Sequence, residues 1–401
     1  MPAIRSAREQ VRIVGRAGVD LALRTFGLLN LKPLFANSDR KTIAFQSYST
    51  HLARCYAPII ARLRESSHDL RIVFLILLHP HVPFSAIREL RSYVRDGLGF
   101  DDRDVFFFWQ IMWARVDMMV CGDVFARFPP RRTRTALMPH GTALAPRWFN
   151  RHPLRKSLAD FDHVLLAGEY DLEMWSRHPA AGALAERAHP IGFPFIDAIP
   201  NLPVTREQYV RRLGLTAGRP IVFFGPHHFA LEMRGSIDYV RAMVEALKAL
   251  DANLVVKLHA TSFYPAMAGS NSWRGVLEDL TRDPSVHIDR EEEDLASLRY
   301  ADVLVTDYSS RAFIFMAMNK PVVLITPSNP NVREENLDRM KLMRSGSRLA
   351  RSPAESARMV SQLLRDPTPP ANAAEIAERC FSNLWHATDP MVEFLTRELS
   401  R

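Results

Sequence analysis

The stretch Val303-Leu304-Val305-Thr306-Asp307-Tyr308-Ser309-Ser310 decides how this chain folds. Its first half is an apolar run typical of a buried strand, and its two serines open a segment of helical composition. A strand that leads directly into a helix presents free backbone N–H groups at the edge of a sheet, where a phosphate is well held. The stretch therefore predicts a strand-turn-helix unit that binds a phosphorylated ligand, although the two serines are equally suited to capping the helix.

Short β-rich runs and helical runs alternate on both sides of a proline-rich segment, Pro190 to Pro203. The predicted strands are Thr42–Ser47, Arg71–Leu78, Val105–Phe108, Asp117–Cys121, Thr135–Met138 and His163–Ala167 before this segment, and Ile221–Phe224, Asn253–Leu258, Val286–Ile288, Val303–Val305 and Val322–Ile325 after it. The alternation predicts an α/β fold with two tandem doubly wound, Rossmann-like domains that face each other across a cleft. We place an N-terminal segment at 1–35, the two domains at 36–198 and 199–365, and a helical tail at 366–401.

The composition is that of a folded protein with a basic surface. Hydrophobic residues make up 47% of the chain and charged residues 24%, so disorder is disfavoured. The formal net charge of +8 favours an anionic partner, namely a nucleotide, a phosphorylated polymer or an anionic membrane surface. Nucleic acid is disfavoured because no recognised nucleic-acid-binding motif accompanies the basic residues.

A basic amphipathic pattern covers residues 4–29, where Arg5, Arg8, Arg12 and Arg16 recur at helical spacing. Such a helix can lie in an anionic membrane interface, or it can pack on the surface of its own domain. No apolar run reaches the roughly 20 residues of a membrane span, and no secretory signal is evident. With three scattered cysteines, the chain is expected to be cytoplasmic, and peripheral on the inner face of the plasma membrane if this segment binds lipid.

Four polar clusters follow predicted strands, at the edge where ligands of such sheets collect. They are His140-Gly141-Thr142, Gly225-Pro226-His227-His228, Lys257-Leu258-His259 and Thr306–Ser310. Lysine and histidine side chains at this edge would suit a diphosphate, although a solvated lysine or a structural histidine is the alternative. No phosphate-binding glycine loop is present, which disfavours kinases and nicotinamide-dependent enzymes. The acidic pair in Asp102-Arg103-Asp104 precedes its strand, and we expect neither a metal ion nor a cofactor.

Read in order, these clusters resemble the CDP-glycerol glycerophosphotransferase family of wall-teichoic-acid and capsule enzymes, which have the GT-B fold. The resemblance is most specific at Asp302–Ser310, followed by Phe313 and Lys320-Pro321-Val322. His140-Gly141-Thr142 matches the His-Gly-Thr element of the family, and Gly192–Asp197 looks like its Gly-x-Pro-x-x-Asp element. The resemblance implies that the first domain faces the acceptor and the second binds the nucleotide donor.

The resemblance also implies roles for individual residues. His140 would be the catalytic base, and His259 would contact the donor pyrophosphate. The implied donor-binding residues are Gly141, Thr142, Pro226, His227, His228, Lys257, Thr306, Asp307, Ser309 and Ser310. The chain departs from the family on the donor side, where Phe229 replaces an arginine and Ile314 replaces an acid. The resemblance implies a CDP-linked donor, and these departures leave another nucleotide-linked polyol or a nucleotide sugar as the alternative.

The resemblance implies transfer of a glycerophosphate-like group from a CDP-linked donor to an acceptor hydroxyl in cell-surface polymer synthesis. The acceptor hydroxyl would attack the β-phosphorus in line and CMP would leave, with a glycan or a lipid-linked glycan as the acceptor. Activity is expected in the presence of a chelator. The alternatives are a GT-B glycosyltransferase with a nucleotide-sugar donor, a nucleotide-sugar epimerase, and a non-catalytic protein that binds an anionic polymer or membrane.

Overall fold

The structure is a computed structural model of the 401-residue chain. It describes residues 40–66, 69–79, 82–111, 116–128, 133–142, 156–177, 186–226, 237–258, 273–289, 295–307, 309–326 and 337–401. The basic N-terminal segment and the predicted site residues His227, His228 and His259 lie outside the described residues. Within these ranges, no helix has both the length and the apolar character that a membrane span requires.

The first sheet contains seven strands, namely β1 (Thr42–Ser47), β2 (Arg71–Ile76), β3 (Val105–Phe107), β4 (Met118–Cys121), β5 (Arg134–Leu137), β6 (His163–Leu166) and β7 (Ala188–Pro190). Their order across the sheet is β3-β2-β1-β4-β5-β6-β7, and the pairings from β3 to β6 are parallel. All six residues of β1 are buried, as expected for a central parallel strand with both faces covered. The α-helices of this part of the chain are α1 (Thr50–Cys55), α2 (Ala57–Ser66), α3 (Phe84–Ser92) and α4 (Glu169–Ser176).

The second sheet contains six strands, namely β8 (Ile221–Phe224), β9 (Asn253–Val256), β10 (Val286–Ile288), β11 (Val303–Thr306), β12 (Val322–Ile325) and β13 (Arg348–Ala350). Their order is β10-β9-β8-β11-β12-β13, and every pairing is parallel. The other α-helices in the part of the chain that the structure describes are α5 (Arg206–Leu213), α6 (Ile237–Lys248), α7 (Trp273–Thr281), α8 (Leu295–Tyr300), α9 (Arg311–Ala317), α10 (Leu337–Ser345), α11 (Pro353–Arg365), α12 (Ala373–Cys380) and α13 (Thr388–Ser400). Short 3₁₀ or π turns occupy Tyr93–Gly97, Asp102–Asp104, Phe108–Ile111, Leu158–Asp160 and Pro194–Ala198.

Both sheets have the strand order of a doubly wound fold, which confirms the predicted α/β class. The order reverses between β1 and β4 in the first sheet and between β8 and β11 in the second. Ligands of such sheets bind outside the carboxyl ends of the strands at this reversal. The loops that follow β1, β4, β8 and β11 are therefore the places to look for a site.

The described residues divide into two compact units. The first unit contains the described residues of 40–140, 156–164 and 392–401, and the second contains those of 141–142 and 165–391. The division passes between His140 and Gly141, so that the His-Gly-Thr element belongs to both units. The domain boundaries predicted from the sequence stay predictions.

The element Gly192–Asp197 has a structural partner inside the second unit. Asp197 Oδ2 accepts hydrogen bonds from the backbone N–H and the hydroxyl of Thr388, at 2.7 and 2.6 Å. Asn383 donates to the carbonyl of Ile191 at 2.9 Å. These contacts attach the segment between α12 and α13 to the chain that follows β7.

Candidate functional site

His140 lies where three strand ends of the first sheet meet. It follows β5 and is half-buried, and its Nδ1 atom lies 3.1 Å from the carbonyl oxygen of Gly122, just after β4. His51, in the α-helix that follows β1, meets the His140 ring edge to face, with centroids 5.6 Å apart and an interplanar angle of 86°. The structure therefore places the predicted base at the carboxyl edge of the first sheet, in defined surroundings.

Gly141 and Thr142 belong to the second unit and contact residues there. Gly141 has a φ of 150°, and a Cβ on it would lie 3.6 Å from Ser310 Oγ. The Thr142 hydroxyl is buried and donates to Asp171 Oδ2 on α4 at 3.3 Å. Within the second unit, Gly141 therefore lies beside Ser310, and Thr142 anchors this loop to α4.

The described residues at the end of β11 and in the turn after it are Thr306, Asp307 and Ser309, which are buried, and Ser310, which is half-buried. Thr306 donates from Oγ1 to the carbonyl of Gly225 at 2.7 Å, which ties the end of β11 to the end of β8. Asp307 is buried, and its charge adds to the effect of burial that raises the pKa of Tyr239 to about 12. Both strand ends at the reversal point of the second sheet are therefore held together by a predicted site residue.

The two serines of this turn have different surroundings. Ser309 is buried, and its hydroxyl accepts from the backbone N–H of Arg311 at 3.3 Å, which gives it a capping role. Ser310 occupies the N-cap position of α9 but makes no side-chain capping bond. The capping interpretation therefore holds for Ser309 and not for Ser310, whose hydroxyl lies beside Gly141.

Gly225 and Pro226 are buried at the end of β8, and the side chain of Arg311 lies beside Gly225. A Cβ on Gly225 would lie 3.3 Å from Arg311 Nη1, and the guanidinium carbon of Arg311 lies 5.7 Å from the centroid of the Phe223 ring. A glycine here leaves room for the guanidinium, and the aromatic ring below stabilises it. Arg311 thereby brings a positive charge to the reversal point of the second sheet.

Lys257 lies just beyond β9 and is 6% exposed, so the interpretation of a solvated lysine is wrong. Its Nζ lies 3.4 Å from Asp289 Oδ1, in an ion pair with both side chains buried. Asp289 also accepts a hydrogen bond from Ser297, whose hydroxyl lies 2.8 Å from that of Tyr209. The ammonium therefore has a buried carboxylate partner, and its role toward a donor stays a prediction.

Sequence reasoning did not single out His51, Gly122 or Arg311. Gly122 directly follows the predicted strand Asp117–Cys121, so the strand-end criterion applied to every strand would have found it, whereas His51 lies a few residues beyond the strand Thr42–Ser47. Arg311 directly follows the serine pair, but its contact with Gly225 is visible only in three dimensions. Among the described residues, no group of three or more His, Cys, Asp or Glu side chains is placed to hold a metal ion.

One protein-family model matches most of the chain. The family described as CDP-Glycerol:Poly(glycerophosphate) glycerophosphotransferase matches residues 30–345. No curated protein matches the sequence significantly.

Solved structures share the fold at low sequence identity. The wall teichoic acid polymerase TagF is 14% identical with a TM-score of 0.62, and a TagF variant soaked with CDPG for 30 minutes is 14% identical with a TM-score of 0.65; each match covers 99% of both chains. A UDP-GlcNAc 2-epimerase from Neisseria meningitidis bound to UDP-GlcNAc is 11% identical with a TM-score of 0.55, over 90% of this chain and 99% of that one. These matches agree with the predicted GT-B type of fold.

Proposed function

Because the chain belongs to the CDP-glycerol:poly(glycerophosphate) glycerophosphotransferase family, we propose that its donor is CDP-glycerol and that His140 takes the proton of the acceptor hydroxyl. The chain is a transferase that moves a glycerophosphate-like group from a CDP-linked donor to an acceptor in cell-surface polymer synthesis. The observation that supports the assignment of His140 is its position at the carboxyl ends of β4 and β5, where its Nδ1 lies 3.1 Å from the carbonyl oxygen of Gly122.

The reaction exchanges one phosphorus–oxygen bond for another. The acceptor oxygen attacks the β-phosphorus of CDP-glycerol, and the bond from that phosphorus to the bridging oxygen breaks. CMP leaves with the bridging oxygen, the glycerophosphate forms a phosphodiester with the acceptor, and the acceptor proton passes to His140. A well-placed general base contributes roughly 10²- to 10⁴-fold to the rate of such a step.

The second unit would hold the donor through the turn after β11. Transfer of a phosphoryl-type group requires mainly positioning and stabilisation of charge. Ser310 supports this role because its hydroxyl does not cap α9, and Thr306 and Asp307 would fix the shape of the turn. Pro226 and Lys257 are proposed donor residues from the neighbouring strand ends, and His227, His228 and His259 are proposed on the sequence alone.

The acceptor is proposed to be a glycan or a lipid-linked glycan. TagF, which shares the fold, is a wall teichoic acid polymerase, and this supports an acceptor of the cell envelope. Nucleotide-activated donors are made in the cytoplasm, so we expect the protein to act there. The basic pattern of residues 4–29 supports contact with an anionic membrane surface.

The test is to identify the nucleotide that the purified protein releases. CDP-glycerol, a CDP-linked polyol other than glycerol, and UDP- and GDP-linked sugars are incubated with the protein, first alone and then with candidate glycan acceptors. Acceptor-dependent release of CMP from CDP-glycerol is the expected result. Release of UDP or GDP would instead identify a sugar transferase, and conversion of a nucleotide sugar without an acceptor would identify an epimerase.

His140→Ala tests the assigned base. We expect kcat to fall by roughly 10²- to 10⁴-fold, while the dissociation constant for CDP-glycerol changes little because His140 is not assigned to the donor. His386→Ala is a matched control, since His386 is an exposed histidine of the second unit. Wild-type turnover in the His140 variant would refute this role.

A further inference from the structure

The hydrogen bond from His140 to Gly122 determines which ring nitrogen can accept a proton. The oxygen of a peptide carbonyl can only accept a hydrogen bond, and it lies 3.1 Å from Nδ1. In the neutral imidazole the hydrogen is therefore on Nδ1, and Nε2 keeps its lone pair. Nε2 is then the atom that would receive the acceptor proton.

Gly122 is held in place by side chains that require a glycine there. A Cβ on Gly122 would lie 2.8 Å from the Tyr56 hydroxyl and 3.3 Å from Leu52 Cδ2. The Tyr56 hydroxyl is fixed in turn, because it donates to the buried carbonyl of Gln46 at 2.9 Å. Any larger residue at position 122 has to displace either this network or the carbonyl that faces His140.

The same close packing positions His51. His51 and Leu52 are neighbours in α1, and Leu52 packs on Gly122. Ser49 caps this helix by accepting from the backbone N–H of Leu52 at 3.4 Å, which fixes α1 directly after β1. His51 therefore meets the His140 ring edge to face at 5.6 Å, within the range in which aromatic rings attract one another.

We propose that His51 is a positioning residue for His140: its ring holds the plane of the His140 imidazole while the Gly122 carbonyl holds Nδ1–H, so that Nε2 is presented as the base. The hydrogen bond to Gly122 fixes Nδ1, and the edge-to-face contact with His51 restricts rotation of the ring about the Nδ1–O axis. The inference rests on the proposed function for the consequence in catalysis, but the ring geometry itself is independent of the substrate.

The first test reads the ring directly, in the intact protein without substrate. Two-bond ¹H–¹⁵N correlation spectra of histidine-labelled protein distinguish the two neutral tautomers, and the signals of His140 are assigned by their loss in His140→Ala. We expect the Nδ1–H tautomer. His287 serves as an internal reference, since its Nδ1 lies 3.0 Å from the carbonyl of Leu213. The Nε2–H tautomer at His140 would overturn the proposal.

The second test asks whether His51 acts by packing its ring against His140 or by transferring a proton itself. We expect His51→Ala to lower kcat by roughly 10- to 100-fold, the scale of a misplaced catalytic group, with little change in the KM for CDP-glycerol. His51→Phe keeps a ring and should restore most of the rate. A wild-type rate in His51→Ala, or an equal loss in His51→Phe, would overturn the proposal. His386→Ala is the control.

The two hypotheses can fail separately. If the wild-type protein releases no CMP from CDP-glycerol with any acceptor, the proposed function fails, and the tautomer of His140 still decides whether the Gly122 carbonyl holds Nδ1–H. Gly122→Ala provides a further variant for the spectra, because displacement of the carbonyl should mix the two tautomers at His140 and leave those at His287 unchanged. Unmixed signals in a folded Gly122→Ala protein would count against the inference.

Discussion

Lys257 and Asp289 form a buried ion pair, with Nζ and Oδ1 3.4 Å apart and 8% and 1% of their side chains exposed. The pair joins the end of β9 to the segment that follows β10. A buried charge that loses its partner destabilises a protein by about 3–5 kcal/mol. We therefore expect Asp289→Asn to lower the free energy of unfolding of the second unit by about this amount, measured by urea denaturation.

Two variants control this prediction. Arg282→Met removes one partner of an exposed pair with Asp279, and it should change stability by less than about 1 kcal/mol. The double variant Lys257→Met, Asp289→Leu removes both buried charges and should recover most of the lost stability. If the double variant also binds CDP like the wild type, the donor role predicted for Lys257 is wrong.

Arg311 is expected to contribute to donor binding. Its guanidinium lies over Phe223 and beside Gly225, at the carboxyl ends of β8 and β11. Hydrogen bonds to charged groups contribute about 1.5–3 kcal/mol, so Arg311→Met should raise the dissociation constant for CDP by about 10- to 100-fold, measured by calorimetry. Arg358→Met is the control, since this arginine is exposed on α11. Unchanged affinity for CDP in Arg311→Met would exclude this role.

His163 should make the first unit less stable in weak acid. Burial lowers the pKa of His163, and the carboxylate of Glu398, whose Oε2 lies 3.4 Å from Nε2, opposes this effect more weakly. Above about pH 6.5, the pKa of histidine in the unfolded protein, His163 is neutral in both the folded and the unfolded state, so it adds no pH dependence to stability there. Below it the unfolded state binds the proton first, and the free energy of unfolding falls with pH until the lower folded pKa is reached.

The variant His163→Gln should lack this component. The free energy of unfolding of wild type and variant is measured at pH 7.5 and at pH 5. Between these pH values we expect the wild type to lose more stability than the variant, by up to about 1.4 kcal/mol for each pH unit. Asp162, Arg134 and Arg401 also act on His163, and they are the same in both proteins. Parallel pH profiles would contradict the predicted direction of the shift.

The strands that the sequence predicts best are the buried, uninterrupted ones. Ile221–Phe224 and Val322–Ile325 match the structure residue for residue, because each is a fully buried apolar run in the middle of a parallel sheet. β7 and β13 were not predicted. Both are three-residue strands at the edge of a sheet, and neither contains a β-branched residue. The edge strand β10 has the same length, but it was predicted correctly because Val286 and Ile288 mark it.

The residues of the candidate site also fall into those that the sequence predicts and those that it does not. His140 and the turn from Thr306 to Ser310 could be predicted because each directly follows a strand. Local sequence does not report that Arg311 reaches over Gly225 or that Lys257 is paired with Asp289, since these partners are 86 and 32 residues away in the chain (311 − 225 and 289 − 257). Such contacts depend on the order of the strands in the folded sheet, because that order decides which strand ends lie side by side.

The element Gly192–Asp197 is expected to contribute to stability through the segment before α13. Gly192 has a φ of 122°, and a Cβ on it would lie 2.4 Å from the carbonyl oxygen of Ser382 and 2.5 Å from Ala387 Cβ. Gly192→Ala should therefore cost more than the roughly 1 kcal/mol of an ordinary alanine at positive φ, measured by thermal and urea unfolding. Asp197→Asn should cost about 1 kcal/mol, the scale of a lost helix cap at Thr388.

The control variant Gly218→Ala distinguishes two contributions to the loss of stability expected for Gly192→Ala, namely the steric clash of the added methyl group and the cost of a positive φ. Gly218 also has a positive φ, of 78°, but a Cβ there would meet nothing within 4 Å. We expect Gly218→Ala to report the conformational cost alone. Gly192→Ala should cost more, because the added methyl group would also clash with the carbonyl of Ser382 and with Ala387. Equal losses of stability in the two variants would mean that the segment between α12 and α13 moves to accommodate the methyl group added at position 192.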